Sequence, residues 1–211
     1  MKNKRLSLPA NDVVVFDTET TGFSPNTGCR IIEIGAVRLK EGVVVDKFQS
    51  LINPGQRIPK EISDYTKITN KMVADMPPPE KVMSEFHTFV NDNNLVAHNS
   101  SFDIRFLEAE YDRIGLKVCS NVGCSLMLAR RVFQKAPNHK LETLMRYKNL
   151  NISGNFHRAL ADSEMAAAVW LAEIRQIEGF TKLVNIPFST MLNISKTPKN
   201  KVFAKLKSLK T

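Results

Sequence analysis

The hydrophobic pattern opens with runs of strand length and then changes to helical spacing. Val13 to Thr18 reads as a first strand, Ile31 to Leu39 as a second and Val43 to Ile52 as a third; Glu41-Gly42 is a tight turn that makes the last two an antiparallel hairpin. Asn53-Pro54-Gly55 ends the sheet section, and Ile58 to Asp75 holds short helical pieces before Pro77-Pro78-Pro79 punctuates the chain. A helix from about Glu80 to Val90 carries Val82, Met83, Phe86, Phe89 and Val90 at helical spacing. Leu95 to Ala97 makes a short fourth strand, Ser101 to Ile114 an amphipathic helix stopped by Gly115, and Lys117 to Val122 a fifth strand. Helices follow over Ser125 to Gln134, near Lys140 to Lys148 and over Ala159 to Ile177. Past Gly179 the pattern fades into Pro187, Ser189, Pro198 and lysines.

Hairpin-linked strands followed by alternating helix and strand predict an α/β domain with a mixed sheet and helices on both faces. The expected organisation is an N-terminal extension over residues 1–10, a folded domain over 11–180 and a basic tail over 181–211. A length of 211 residues with 43% hydrophobic content suits one sizeable domain. The formal charge of +9 is uneven: Thr181 to Thr211 holds seven lysines and no acid, so the rest, with 23 bases against 21 acids, is nearly neutral. Such a tail favours a polyanion such as nucleic acid, or an anionic membrane surface; a solvated, disordered end is the bland alternative. Cys29, Cys119 and Cys124 are odd in number and form no C-x-x-C pair, which points to reduced thiols and away from a zinc site. No apolar run has the length of a signal peptide or a membrane span, so a cytoplasmic protein with no membrane partner is expected.

Chemistry enters at residues 13–22, VVVFDTETTG, where a buried strand runs into two carboxylates. Residues two apart on a strand share a face, so Asp17 and Glu19 converge if the extended backbone continues through them. Two close carboxylates repel unless a positive charge lies between them, and hard oxygen ligands suit Mg²⁺ or Mn²⁺. A polar turn is the plain alternative; a phosphatase nucleophile of the D-x-D-x-T kind, with Asp17 attacking phosphorus, is the chemical one. A second stretch, VAHNSSFDIRFLEAEY, places Asp103 in the first turn of a helix, where it could equally close a capping box with Ser100. In a third, NFHRALADSEM, His157 and Asp162 are five apart, roughly 140° on a helix, and meet only if His157 precedes the helix.

Together D-x-E-T-T-G, H-N-x-x-F-D and H-x-A-x-x-D, in that order, closely resemble the DEDDh 3′→5′ exonucleases, the group that includes the proofreading epsilon subunit of bacterial DNA polymerase III. The resemblance spans residues 11 to about 178. It implies a ribonuclease-H-like fold, a five-stranded mixed sheet whose second strand is antiparallel to the rest. It implies Asp17, Glu19, Asp103 and Asp162 as ligands of two divalent cations, Mg²⁺ or Mn²⁺, and His157 as general base. It also implies that Thr18, Thr20 and the Gly22 backbone line the terminal nucleotide, that Phe102 packs near it, and that His98 and Asn99 support the site. Many relatives carry Gly-Ile-Thr after the third strand; here Lys67-Ile68-Thr69 stands there, with Ile68 expected to wedge at the terminal bases and Lys67 to touch a phosphate.

The reaction implied is hydrolysis of single-stranded DNA from its 3′ end to nucleoside 5′-monophosphates. An exoribonuclease of the oligoribonuclease or RNase T kind, and a non-catalytic polymerase-associated binding module, are the alternatives. The tail could dock on a polymerase, a clamp or nucleic acid.

Overall fold

The computed structural model describes residues 2–150 and 158–210. A short α1 (Lys2–Leu6) leads to β1 (Val13–Thr20), β2 (Ile31–Lys40) and β3 (Val43–Leu51). Two small helices, α2 (Lys60–Thr66) and α3 (Asn70–Val73), precede α4 (Pro79–Val90), β4 (Asn94–Ala97), α5 (Ser101–Arg113) and β5 (Val122–Cys124). The remainder is helical: α6 (Ser125–Val132), α7 (Leu141–Tyr147), α8 (Ala159–Thr181), α9 (Phe188–Lys196) and α10 (Val202–Lys207).

The strands form one sheet in the order β3-β2-β1-β4-β5. Its β1–β2 and β2–β3 pairs are antiparallel and its β1–β4 and β4–β5 pairs parallel, so β2 alone runs against the rest. Glu41 (φ 51°) and Gly42 (φ 77°) both adopt left-handed backbone at the β2–β3 turn, the twist that suits a two-residue hairpin. Val13 to Phe16 is an unbroken apolar run because β1 is covered on both faces. Val13 and Val15, with Val37 and Leu39, pack against α8; Val14 and Phe16, with Ile34 and Ala36, pack against α4 and α5.

Two expectations need correction. The fifth strand is Val122–Cys124, not Lys117 to Val122. Val118 does reach the α4–α5 side of the core, but from a loop whose Ser120 hydroxyl donates to Asn93 O (2.8 Å), and pairing to β4 begins only at Val122. Nor does the fold fade after Gly179. Phe188, Met191, Ile194, Val202 and Leu206 from α9 and α10 lie buried in the same cluster as α8, each apolar side chain so buried contributing roughly 1.5–3 kcal/mol. Residues 8–10 and 186–188 are stitched together: Ala10 N donates to Ile186 O (2.7 Å), Phe188 N to Leu8 O (2.9 Å), and Trp170 Nε1 on α8 to Ala10 O (2.8 Å). The segment before β1 and the segment before α9 are therefore paired with each other and tied to α8. No helix among the described residues is long and apolar enough to cross a membrane.

Candidate active site

The extended backbone of β1 continues to Thr20, so Asp17 and Glu19 share a face at its C-terminal end. Their partners across β2 are Gly35 and Glu33, and both shape what lies above. A Cβ on Gly35 would lie 2.1 Å from Leu160 N and 2.5 Å from Leu160 Cα, so only a bare backbone lets the first turn of α8 rest on the sheet. Ser163 Oγ donates to Gly35 O (2.8 Å) and secures that contact. Glu33 is fully buried and anchors the helix start. Its carboxylate accepts from Arg158 Nη2 (2.8 Å) and from Ala159 N (3.1 Å), a negative charge at the positive end of the helix dipole. The outcome is that Asp162, in the first turn of α8, stands over β1. Asp17, Glu19 and Asp162 each offer a ligand oxygen, all within 4.8 Å of one another.

Asp103 joins from α5. It is buried, and its Oδ1 accepts from Thr18 N (3.1 Å) and Thr18 Oγ1 (2.8 Å). Ser100 makes no side-chain cap at this helix, so Asp103 is held by the strand and not by a capping box. The turn after β1 is tied to α5 as well. Arg30 donates to both oxygens of buried Glu110 (2.7 and 2.8 Å), and its amide donates to Thr21 Oγ1 (2.9 Å).

Burial and mutual repulsion raise the carboxyls of Asp17 and Glu19 in this half-buried corner, and burial raises that of Asp103. Burial, then the charges of Asp103, Asp162, Glu19 and Glu33, push Asp17 well above the ordinary carboxylate range. Glu19 is pushed up to about 8 by burial, then by Asp162, Glu33 and Asp103, with Arg158 opposing. Burial lifts Asp103 to about 7 against the two Thr18 hydrogen bonds. The acids cannot all ionise near neutral pH unless a cation joins them. An all-oxygen donor set of this charge fits a hard divalent metal ion.

The other expected residues fall into place unevenly. The Thr18 and Thr20 side chains are buried and spent internally, Thr18 on Asp103 and Thr20 on Gly22 O (2.6 Å). Gly22 lies where a Cβ would come within 2.6 Å of Cys29 Sγ. Phe102 packs on Phe106, centroids 5.1 Å apart. His98 is clamped between Ser125 Oγ (2.7 Å) and His139 O (3.0 Å), and burial brings it down to about 4. It is therefore neutral, with Nε2–H donating to the carbonyl and Nδ1 accepting from the serine hydroxyl. Asn99 (φ 74°) turns the chain from β4 into α5. Ile68 does not project as a wedge: it is fully buried with Ile32, Ile58 and Val73, because that segment folds back on the β2 side of the sheet. Lys67 has the left-handed φ of 62° that favours glycine, and its Nζ donates to Asp64 O (2.5 Å). His157 lies outside the described residues.

A cavity of about 1070 Å³ opens beside Asp162, bounded by Tyr65, His98, Asn99, Arg130, His139 and Lys140. Tyr65, Arg130, Gly35 and Glu33 escaped the motif reading. Gly35 and Glu33 carried a signal, a glycine and an acid inside the apolar strand IIEIGAV; Tyr65 and Arg130 carried none.

Residues 14–170 match the model of the RNase_T family, described as exonuclease. The chain is 36% identical over 178 residues to a PolC-type DNA polymerase III of Staphylococcus saprophyticus, covering 84% of this chain and 12% of that protein. With the PolC-type polymerase of Oceanobacillus iheyensis it shares 40% over 174 residues, 82% of this chain and 12% of that one. The chain thus spans about an eighth of the length of these relatives. Exonuclease X in complex with 5′ overhanging duplex DNA superposes with a TM-score of 0.67 at 26% identity, over 85% of this chain and 98% of that one. The nuclease domain of 3′hExo, a DEDDh family member, bound to rAMP, gives a TM-score of 0.66 at 20% identity over 77% of this chain and 91% of that one, a likeness of fold.

Proposed function

Because the chain belongs to the RNase_T family of exonucleases, we propose that it is a metal-dependent 3′→5′ exonuclease that degrades single-stranded DNA to nucleoside 5′-monophosphates. The observation that carries this is the convergence of Asp17, Glu19 and Asp162 within 4.8 Å, with Asp103 held by Thr18 of the same strand and Asp162 also lining a cavity. In this reading Asp17, Glu19, Asp103 and Asp162 hold two divalent cations, Mg²⁺ or Mn²⁺. Bound there, the cations supply activation of water and stabilisation of charge on the attacking and leaving oxygens.

The protein's own groups do the rest. His157 accepts the proton of the attacking water, a task suited to an imidazole whose ordinary pKa is near 6.5. His98, neutral and fixed at both ring nitrogens, holds the cavity wall. Thr18 orients Asp103 through one carboxylate oxygen and leaves the other for ligation. The matched relatives are DNA polymerases, which supports DNA as the substrate and a polymerase as a partner, in a cytoplasmic setting.

The test offers the purified protein matched 5′-labelled DNA and RNA oligonucleotides with Mg²⁺, Mn²⁺ or EDTA. Metal-dependent shortening of DNA that Asp17→Ala abolishes is the expected result. Faster shortening of RNA than DNA would transfer the substrate to RNA, and shortening that persists in EDTA would remove the metal from the account.

A further inference from the structure

The lysines at the C-terminal end are not spread over a loose tail. They sit on a packed segment tied to α6, the helix whose Leu126 and Arg130 line the cavity. Arg131 Nε on α6 donates to Thr197 O (3.2 Å) and Gln134 Nε2 to Lys199 O (3.0 Å), so the 197–199 backbone is fixed against the helix that carries Arg130. Arg130, His139 and Lys140 bound the cavity itself. Burial, then the charges of Lys199 and Arg130, lower the pKa of the His139 imidazole against its hydrogen bond to Phe133 O. Lys196, Lys199, Lys201, Lys205, Lys207 and Lys210 are all exposed, and no acid occurs beyond Glu178 to neutralise them.

Asp162 of the acid cluster lines the cavity together with Arg130, His139 and Lys140, with Glu142 among them, and the exposed lysines lie on the segment packed against α6 and beyond. A strand whose reacting end meets Asp162 can continue past Arg130 and Lys140 toward the 197–199 backbone that Arg131 and Gln134 hold, where Lys199 and Lys201 are exposed. We infer that this C-terminal segment is a phosphate track that holds the upstream, 5′-ward part of a nucleic-acid strand while its 3′ end occupies the acid cluster. The inference rests on the exonuclease reading for the direction of the strand, but not for its electrostatics. A strand with a phosphate at every residue fits a row of lysines better than a compact anion, because each added residue can reach another base. Counterion release makes that gain salt-dependent, with a slope of about 0.7 per phosphate neutralised on a single strand.

The test measures binding, in EDTA so that nothing is cleaved. Fluorescence anisotropy compares a labelled trinucleotide with a long oligothymidylate, for the full chain and for K199A/K201A, across a salt series. The full chain should bind the long strand more tightly. In the double variant that length advantage should shrink and the salt slope for the long strand fall by about 1.4. K199R/K201R, which keeps both charges, should restore the slope. An unchanged slope and length dependence would overturn the track, as would equal weakening for the trinucleotide, since that places the lysines at the reacting end. Loss of binding to phosphatidylserine vesicles with no change toward the oligonucleotide would assign the surface to membranes and also overturn it. Because cleavage is not read, failure here is distinct from failure of the exonuclease reading, which the metal-dependent shortening tests.

Discussion

Substituting Gly35 by Ala tests whether the close seat of α8 on β2 builds the acid cluster. The new Cβ would lie 2.1 Å from Leu160 N, whereas ordinary van der Waals contact begins near 3.4 Å, so the helix start and the strand must part by about 1.3 Å. The atoms it meets are backbone, fixed by Ala159 N to Glu33 (3.1 Å) and by Ser163 Oγ to Gly35 O (2.8 Å), so no flexible side chain can give way. Asp162 sits two residues beyond Leu160 and moves with it. A misplacement of about 1 Å at a reacting centre costs about 10²-fold in rate, or roughly 2.7 kcal/mol of barrier. Overpacking of this kind also costs about 1–3 kcal/mol of stability. The assay is kcat/KM on a labelled oligonucleotide with saturating Mg²⁺, beside the Tm of the same preparation. A folded variant about 100-fold slower, with weakened metal affinity, is expected. A variant within twofold of the parent in rate, at an unaltered Tm, would refute the claim that this contact positions Asp162.

Other outcomes follow from the same geometry. Thr18→Val removes the hydroxyl that donates to buried Asp103 (2.8 Å); a fall of about 10–100-fold in activity or metal affinity is expected by titration with Mn²⁺, and unchanged affinity would deny Thr18 that role. Glu19 and Asp103 have folded pKa values of about 8 and about 7, above their unfolded values, so the folded protein keeps protons that the unfolded chain has already released. In EDTA that stabilisation is full below about pH 4 and is lost as pH climbs toward about 8. The Tm should fall across that window and Mg²⁺ should restore it, most strongly at the alkaline end; a flat Tm in EDTA would contradict the repulsion described. Ending the chain at Lys182 removes the buried Phe188, Met191, Ile194, Val202 and Leu206, so sedimentation and thermal melts should show an aggregated or strongly destabilised product, and a soluble product of native Tm would show these helices to be dispensable.

The apolar periods made much of this fold readable. The central hairpin, the unbroken β1 run and the helices α4, α5 and α8 all announce themselves by spacing, and the left-handed turn by Glu41-Gly42. The three-residue β5 did not, because Val118 supplies an apolar position from a loop and shifts the apparent register. The C-terminal helices were hidden by composition: Phe188, Met191 and Ile194 keep helical spacing, but the surrounding lysines and prolines weigh more in any composition-based reading. At the site, the strand period brought Asp17 and Glu19 together, while Asp103 and Asp162 depended on motif order. Nothing local distinguished a capping Asp103 from one held by Thr18, since that choice is made across 85 residues of chain. Ile68 shows the converse error, in which a motif position was carried over without its burial. Lys67 beside it holds the left-handed backbone that glycine adopts most readily.

The central claim is that the acids at the end of β1, with Asp162 from α8, form a centre that cuts the terminal phosphodiester from the 3′ side. It is tested most directly by a time course on one single-stranded DNA labelled at either end, with Mg²⁺. The expected result is a ladder of progressively shorter strands from the 5′ label and immediate release of a labelled nucleoside 5′-monophosphate from the 3′ label. Internal fragments, mononucleotides appearing first from the 5′ label, or an intact strand would contradict it.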